Sequence, residues 1–300
     1  MDIKTYLNNI YNDFKSYIAI NPLCELKGID FASNLLPDYN NVHLQQLYLL
    51  RYAFAYLFEY KRIFVKKLPQ HKMFGDPDLN ILSIGCGSYL DYWGAIEAIA
   101  KNNLQSKVKY LGIDKVKWEY TIESRKQDTL NFYEGDITKY LSENSTLNCN
   151  FIVFPKSISE FDKETFRQIC SSIRRIKFTQ KHIVLLVSLR NNVTNCLSDL
   201  SRVDELVAAF NANKYHIYTF KDYEKGKCYI VGNDGIRAYD DSFVFPQEIN
   251  DALSTLITNC TNYAMRGKSC NNCERLLNRR PVLRASQIKY VAIDICRKEN

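Results

Sequence analysis

The run Asn80-Ile81-Leu82-Ser83-Ile84-Gly85-Cys86-Gly87-Ser88 is largely apolar up to two glycines, and helix-like sequence follows from Leu90. A short apolar run of this kind reads as a buried strand of a parallel sheet that ends in a turn. Gly85 and Gly87 open backbone angles that other residues avoid and bring no side chain, so another group can approach the main chain closely. The N-terminus of the next helix offers free N–H groups at the same spot. A plain strand-to-helix turn uses the same residues, and the next three strands separate the two readings.

Val108-Lys109-Tyr110-Leu111-Gly112-Ile113-Asp114 is a second strand pattern closed by an acid, the position where nucleotide-binding folds hold ribose hydroxyls. Leu130-Asn131-Phe132-Tyr133-Glu134-Gly135-Asp136-Ile137 repeats the arrangement, and Asn150-Phe151-Ile152-Val153-Phe154-Pro155-Lys156-Ser157 ends in a polar turn. Four ordered motifs point to a nucleotide-shaped ligand.

Over about residues 78–220 the chain resembles the class I S-adenosylmethionine-dependent methyltransferases, whose first motif is an apolar strand, an acid and then G-x-G-x-G. The resemblance implies S-adenosylmethionine as cofactor, with Ser83, Gly85, Gly87, Asp114, Asp136 and Ile137 as the binding positions. In that family the glycines admit the cofactor, the acid of the second strand takes the ribose hydroxyls, and the acid after the third faces the adenine amino group. Ser83 stands where the family commonly has Asp or Glu, and Tyr89 stands where its third glycine would be. A dehydrogenase reading is weaker, because the turn lacks the final glycine of G-x-G-x-x-G.

The loop after the fourth strand is where this family usually meets its acceptor. Here it runs Phe154-Pro155-Lys156-Ser157-Ile158-Ser159-Glu160, without the Asp or Asn before Pro-Pro-aromatic of exocyclic-amine methyltransferases and without a Pro-Cys dipeptide. Lys156 and Glu160 are the candidate catalytic residues: Lys156 as a base or a hold on an anionic substrate, Glu160 as its partner at helical spacing. The plainer alternative is that Ser159 and Glu160 open the next helix.

Alternating strands and helices predict an α/β fold, a Rossmann-like, doubly wound and mainly parallel sheet, with ligands at the carboxyl ends of its strands. Residues 1–75 read as a helical N-terminal domain, with helices over Asp2–Ile18 and Val42–Leu68. Residues 76–300 read as the methyltransferase-like domain with an insertion at about 221–286. The closing Gln287–Ile295 alternates as a strand, and the resemblance makes it the antiparallel terminal strand beside the sixth strand, Tyr215–Phe220. The tyrosines of the second helix either pack against the sheet domain or form a base-stacking platform.

Of the net charge of +7, residues 261–300 carry +6, with nine basic residues against three acids. Concentrated positive charge favours phosphate or an acidic partner, so RNA or another nucleic acid is the expected partner, a protein partner is the other, and a membrane is not. No apolar run approaches the roughly 20 residues that span a bilayer, and the N-terminus lacks the order of a signal peptide. A cytoplasmic location is the expectation, and there the ten cysteines are reduced thiols. The expected function is methyl transfer to a nucleic acid or a nucleic-acid-associated protein. The alternative is a non-catalytic, methyltransferase-like binding or scaffold subunit.

Cys270 and Cys273 have the spacing of half a zinc knuckle, and Cys260 lies ten residues earlier. Structural zinc on these three and a fourth ligand is one expectation, and unliganded thiols are the other. Zinc predicts close to one metal per chain in protein purified without chelator, lost together with thermal stability in Cys270→Ser. A content well below one removes the expectation.

Overall fold

The computed structural model describes residues 2–20, 26, 37–72, 75, 78–190, 193–218, 229–231, 243–256, 281–282 and 288–298. The chain divides into two compact units. One holds Met1–Tyr56, Trp118–Ile122 and Tyr239–Ala285, and the other holds Leu57–Lys117, Glu123–Ala238 and Ser286–Asn300. The division falls inside a helix rather than at the glycine- and proline-containing stretch near residue 75, and residues 239–285 group with the N-terminal helices.

The first unit contains α1 (Ile3–Ile20), the first half of α2 (Val42–Lys72) and α7 (Gln247–Thr255). The apolar face of α1 is buried through Leu7, Ile10 and Phe14, as its helical spacing predicts. Tyr120 is fastened from two sides: Gln46 Nε2 donates to its hydroxyl at 2.6 Å, and the hydroxyl donates to Asp13 at 2.7 Å. The tyrosine stripe of α2 packs on itself and on Trp118, with ring centroids 5.1 Å apart for Tyr48–Tyr52, 5.3 Å for Tyr52–Tyr56 and 5.5 Å for Tyr48–Trp118.

The second unit is built on a sheet of β1 (Leu79–Ile84), β2 (Val108–Asp114), β3 (Thr129–Glu134), β5 (Phe151–Pro155), β7 (His182–Ser188), β8 (Tyr215–Ile217), β9 (Tyr229–Val231) and β10 (Ile288–Arg297). The strand order is β3-β2-β1-β5-β7-β10-β8, with β9 on the same strand as β8. Strands β3 to β7 pair in parallel, while β10 runs antiparallel to β7 and to β8. The short β4 (Thr146–Leu147) and β6 (Lys177–Phe178) form a separate pair. Helices α3 (Leu90–Lys101), α4 (Ile137–Glu143), α5 (Lys163–Ile173) and α6 (Val193–Ala212) are the crossovers. β1 and β7 are buried along their whole length, as the near-continuous apolar runs of a doubly covered parallel sheet require.

α2 continues through Pro69 to Lys72, past the expected end at Leu68. A helical proline leaves the carbonyl four residues earlier without its N–H partner. That carbonyl, of Val65, accepts from Asn102 Nδ2 at 3.2 Å instead. Among the described residues no helix is long and apolar enough to cross a membrane.

Gly94 sets how closely α3 approaches the second half of α2. A Cβ there would stand 2.5 Å from Tyr60 Cβ and 2.7 Å from the Lys61 backbone nitrogen. Gly94→Ala is expected to cost about 1–3 kcal/mol by overpacking, against the usual helix preference for alanine. Denaturant unfolding at equilibrium measures it, and an unchanged midpoint would refute the close packing.

Candidate functional site

The glycine turn at the carboxyl end of β1 is fastened on three sides. The Ile113 carbonyl at the end of β2 accepts from Gly85 N at 2.8 Å and from Cys86 N at 3.2 Å. The Asp114 carboxylate accepts from Gly87 N at 2.9 Å. From the loop after β5, Ser157 Oγ donates to the Ile84 carbonyl. Gly85 has φ +71° and Gly87 φ +54°, angles that favour glycine. The space beside Gly85 is already used, since a Cβ there would lie 2.5 Å from Ser157 Cβ. Gly85 therefore serves the packing of Ser157 as well as the turn.

Tyr89 explains the missing third glycine. It has φ 63° and ψ 30°, the left-handed conformation a glycine would take, at the cap position of α3. Its ring packs against Tyr110 and Phe132 at 5.7 and 5.9 Å, and that burial offsets the roughly 1–2 kcal/mol that such a backbone costs.

Asp114 closes β2 with one oxygen on Gly87 N and the other accepting from Val116 N at 3.1 Å. Desolvation pushes its carboxyl up against the pull of those N–H groups. Asp136 caps α4, accepting from Thr138 N and Thr138 Oγ1 at 2.7 Å, with Lys115 Nζ 3.0 Å from its other oxygen. Burial opposes its ionisation, but these partners outweigh it and hold the carboxyl below its ordinary value. The Ile137 side chain lies in the core with Ile84 and Ile113.

Ser83 is fully buried, and an acid stands beside it from another element. Asp91, in the first turn of α3, accepts from Tyr110 OH at 2.8 Å. Its second oxygen and Ser83 Oγ are both buried and make no hydrogen bond of good geometry, although the hydroxyl is near enough to favour the carboxylate. Desolvation dominates and pushes the Asp91 carboxyl up to about 6.

Lys156 does not pair with Glu160. It has φ +61° just after β5, and its ammonium lies 2.8 Å from Glu59 Oε1 of α2 and donates to the Leu189 carbonyl at 2.9 Å. Ser188 Oγ donates to the same Glu59 oxygen. Positive φ turns the lysine inward, and Glu59, only 4% exposed, needs a buried cation. The Glu160 carboxyl makes no hydrogen bond or ion pair; its backbone N–H donates to Ser157 O at 2.9 Å, in a turn before α5 rather than within it. Desolvation by the surrounding chain, reinforced by the Asp114 charge, pushes its carboxyl up to about 8 against the pull of Arg190. The residue itself is exposed, so water screens part of that push.

Cys260, Cys270 and Cys273 lie outside the described residues, as do most of the basic residues of 261–300. Among the described residues no group of three or more His, Cys, Asp or Glu could hold a metal ion. Cys86, Cys170 and Cys196 are buried free thiols.

A parallel sheet with β10 set antiparallel between β7 and β8, a glycine turn after β1 and acids after β2 and β3 decide the architecture. The chain has the class I methyltransferase fold. No family model and no curated protein matches it. Among solved structures it is similar to the plantazolicin methyltransferase BpumL in complex with SAH, at 14% identity over 96% of this chain and 99% of that one, TM-score 0.43. A SAM-dependent methyltransferase from Archaeoglobus fulgidus is similar at 14% identity, 79% and 94% coverage and TM-score 0.36. Loganic acid methyltransferase with SAH is similar at 8% identity, 83% and 95% coverage and TM-score 0.37.

Three residues around this methyltransferase-fold turn were not singled out from sequence: Glu59, Asp91 and the clamping Ser157. Asp91 carried a signal, an acid in the first turn of a helix that follows a glycine turn. Its raised pKa makes a prediction. Between its ordinary value of 3.8 and about 6 the folded state binds more protons than the unfolded state. The stability Asp91 contributes is therefore fully present below about pH 4 and lost as pH rises through about 6. Asp91→Asn keeps an acceptor for Tyr110 and removes the titration. The Tm of the variant minus that of the parent should rise between pH 4 and 7, and a flat difference refutes the assignment.

Proposed function

We propose that the chain transfers a methyl group from S-adenosylmethionine held over the glycine turn. The observation that carries the reading is the two carboxylates gathered there, Asp91 behind the turn and Asp114 at the end of β2, neither of them in an ion pair. The cofactor supplies an electrophilic methyl on a positively charged sulfonium, and such a surround favours positive charge. A dinucleotide would bring a pyrophosphate against the same carboxylates, which disfavours the dehydrogenase reading.

In this reading the backbone at Gly85 and Gly87 lines the approach, and Asp114 accepts from the ribose hydroxyls. Each Asp114 oxygen takes one N–H and keeps a second lone pair for a hydroxyl. Asp136 and the Ile137 backbone face the base, and Ser83 supports the turn from below. Lys156 positions the loop after β5 through Glu59 rather than moving protons. Glu160 is the group free to take a proton from the acceptor, and its raised pKa places that capacity on the alkaline side of an ordinary glutamate.

For the acceptor we carry forward a nucleic acid or a protein bound to one, supported by the +6 of residues 261–300 alone. The non-catalytic reading is favoured by one feature, Ser157 filling the space beside Gly85.

Titration calorimetry with S-adenosylmethionine and S-adenosylhomocysteine tests the proposal. Both should bind, Asp114→Asn should weaken both about tenfold, or about 1.4 kcal/mol, and Glu160→Gln should leave both unchanged because its role is toward the acceptor. No heat with either ligand at millimolar concentration sinks the enzyme reading and leaves the binding subunit.

A further inference from the structure

The opposite end of the sheet has the opposite chemistry. His182 opens β7, and six residues later, roughly 20 Å away at strand rise, Ser188 lies at the carboxyl end. Around the His182 end is a cavity of about 1040 Å³ that no motif of the proposed reaction uses. Three of the chain's four histidines line it, His71, His182 and His216, with Lys181, Arg297 and Lys298, and among the described residues no Asp or Glu does.

The charge there is not cancelled from below. Asp294 of β10 is buried under the cavity, but it is already engaged by Lys67 Nζ of α2 and by His182 Nε2 at 2.8 Å. Burial opposes its ionisation, and the two partners outweigh that and hold its carboxyl below the ordinary value. Arg297 is spent on the fold, donating to the Phe178 carbonyl and to Tyr215 OH at 2.9 Å. Lys181 and Lys298 are different: both side chains are exposed and neither makes a hydrogen bond or ion pair. His216 sits opposite Cys296 across β8 and β10, and its Nδ1 is buried without a hydrogen-bond partner. The Cys296 thiol, pushed up to about 11 by burial and by Asp294, stays protonated and adds no negative charge.

Two unpaired ammonium groups, the imidazole of His216 and a wall without Asp or Glu among the described residues form a donor-rich concavity of the size that takes small ligands. We propose that this cavity binds a small phosphorylated molecule, with Lys181 and Lys298 holding the phosphate and His216 donating to it. Phosphate is the anion that point-charge lysines and imidazole N–H groups suit, having acceptor oxygens in three directions rather than the planar pair of a carboxylate. The site is separate from the glycine turn, whose carboxylates repel the same ligand.

The test uses the full chain with [¹³C]histidine labelling and ligands that carry no adenine, so that binding at the glycine turn does not confuse it. Inorganic phosphate, pyrophosphate and ribose 5-phosphate are titrated, with citrate and ribose as controls. The ring signals of His182 and His216 should move and saturate, while that of His43, which stacks on Tyr17 in the other unit, stays fixed. Lys181→Gln with Lys298→Gln, both at exposed positions, should weaken binding at least tenfold with Tm unchanged, and His216→Gln should weaken it several-fold. Absence of a saturable shift at millimolar phosphate or pyrophosphate, a shift of His43 in step with the rest, or full affinity in the double lysine variant overturns the proposal. Equal binding of citrate overturns the assignment to phosphate.

Discussion

The bond from the Gly87 N–H to the Asp114 carboxylate makes the turn after β1 depend on the end of β2, and the rest of the site is arranged around it. A glycine turn is floppy by nature, because the residues that permit its angles also permit many others. Here the Ile113 carbonyl takes two of its N–H groups, Asp114 takes a third, and Ser157 grips the carbonyl just before it. Three strands thus hold one loop, and the N-terminus of α3 is delivered in a fixed direction. Because Asp114 is occupied from below by backbone, its outward lone pairs are pre-aimed, and a ligand there would not have to reorganise the loop.

What could be read from the sequence was what depends on neighbours along the chain. Strand periodicity, the glycine pair and the acids at strand ends located β1, β2, β3 and β5 to within a residue or two, because burial of an apolar run and the chemistry of a turn are local. The partner of Lys156 was not local. Glu160 was expected from helical spacing, yet Lys156 sits in a left-handed turn, outside any helix, and turns to Glu59, nearly a hundred residues earlier. Tyr89 shows a related limit: the residue type departs from the glycine pattern while the backbone keeps it, and only the rings of Tyr110 and Phe132 reveal why that is tolerated. The grouping of residues 239–285 with the N-terminal helices is likewise a matter of contacts remote in sequence.

The second half of α2 ties both ends of the sheet to one helix. Glu59, Ile63, Lys67 and His71 recur every four residues, and all four are buried. Such a row lies along one face of a helix, and two of its members are charged, which is why the sequence shows no clean apolar stripe there. Glu59 answers Lys156 and Ser188 at the carboxyl end, and Lys67 answers Asp294 at the other. A buried pair of this kind adds little net stability, since desolving two charges costs about what their attraction returns, but removing one partner leaves a lone buried charge and costs about 3–5 kcal/mol. The two pairs therefore act less as glue than as constraints on where α2 can lie along the sheet.

The same two pairs decide what each end of the sheet can bind. At the carboxyl end Glu59 neutralises Lys156, so Asp91 and Asp114 set the sign of the local field. At the amino end Lys67 neutralises Asp294, which also shares a hydrogen bond with His182, so Lys181 and Lys298 set it there. One helix, by cancelling a cation at one end and an anion at the other, leaves the sheet with an acidic rim and a basic rim roughly 20 Å apart. Electrostatic selection between a cationic and an anionic ligand then needs no specific contact, only the choice of end.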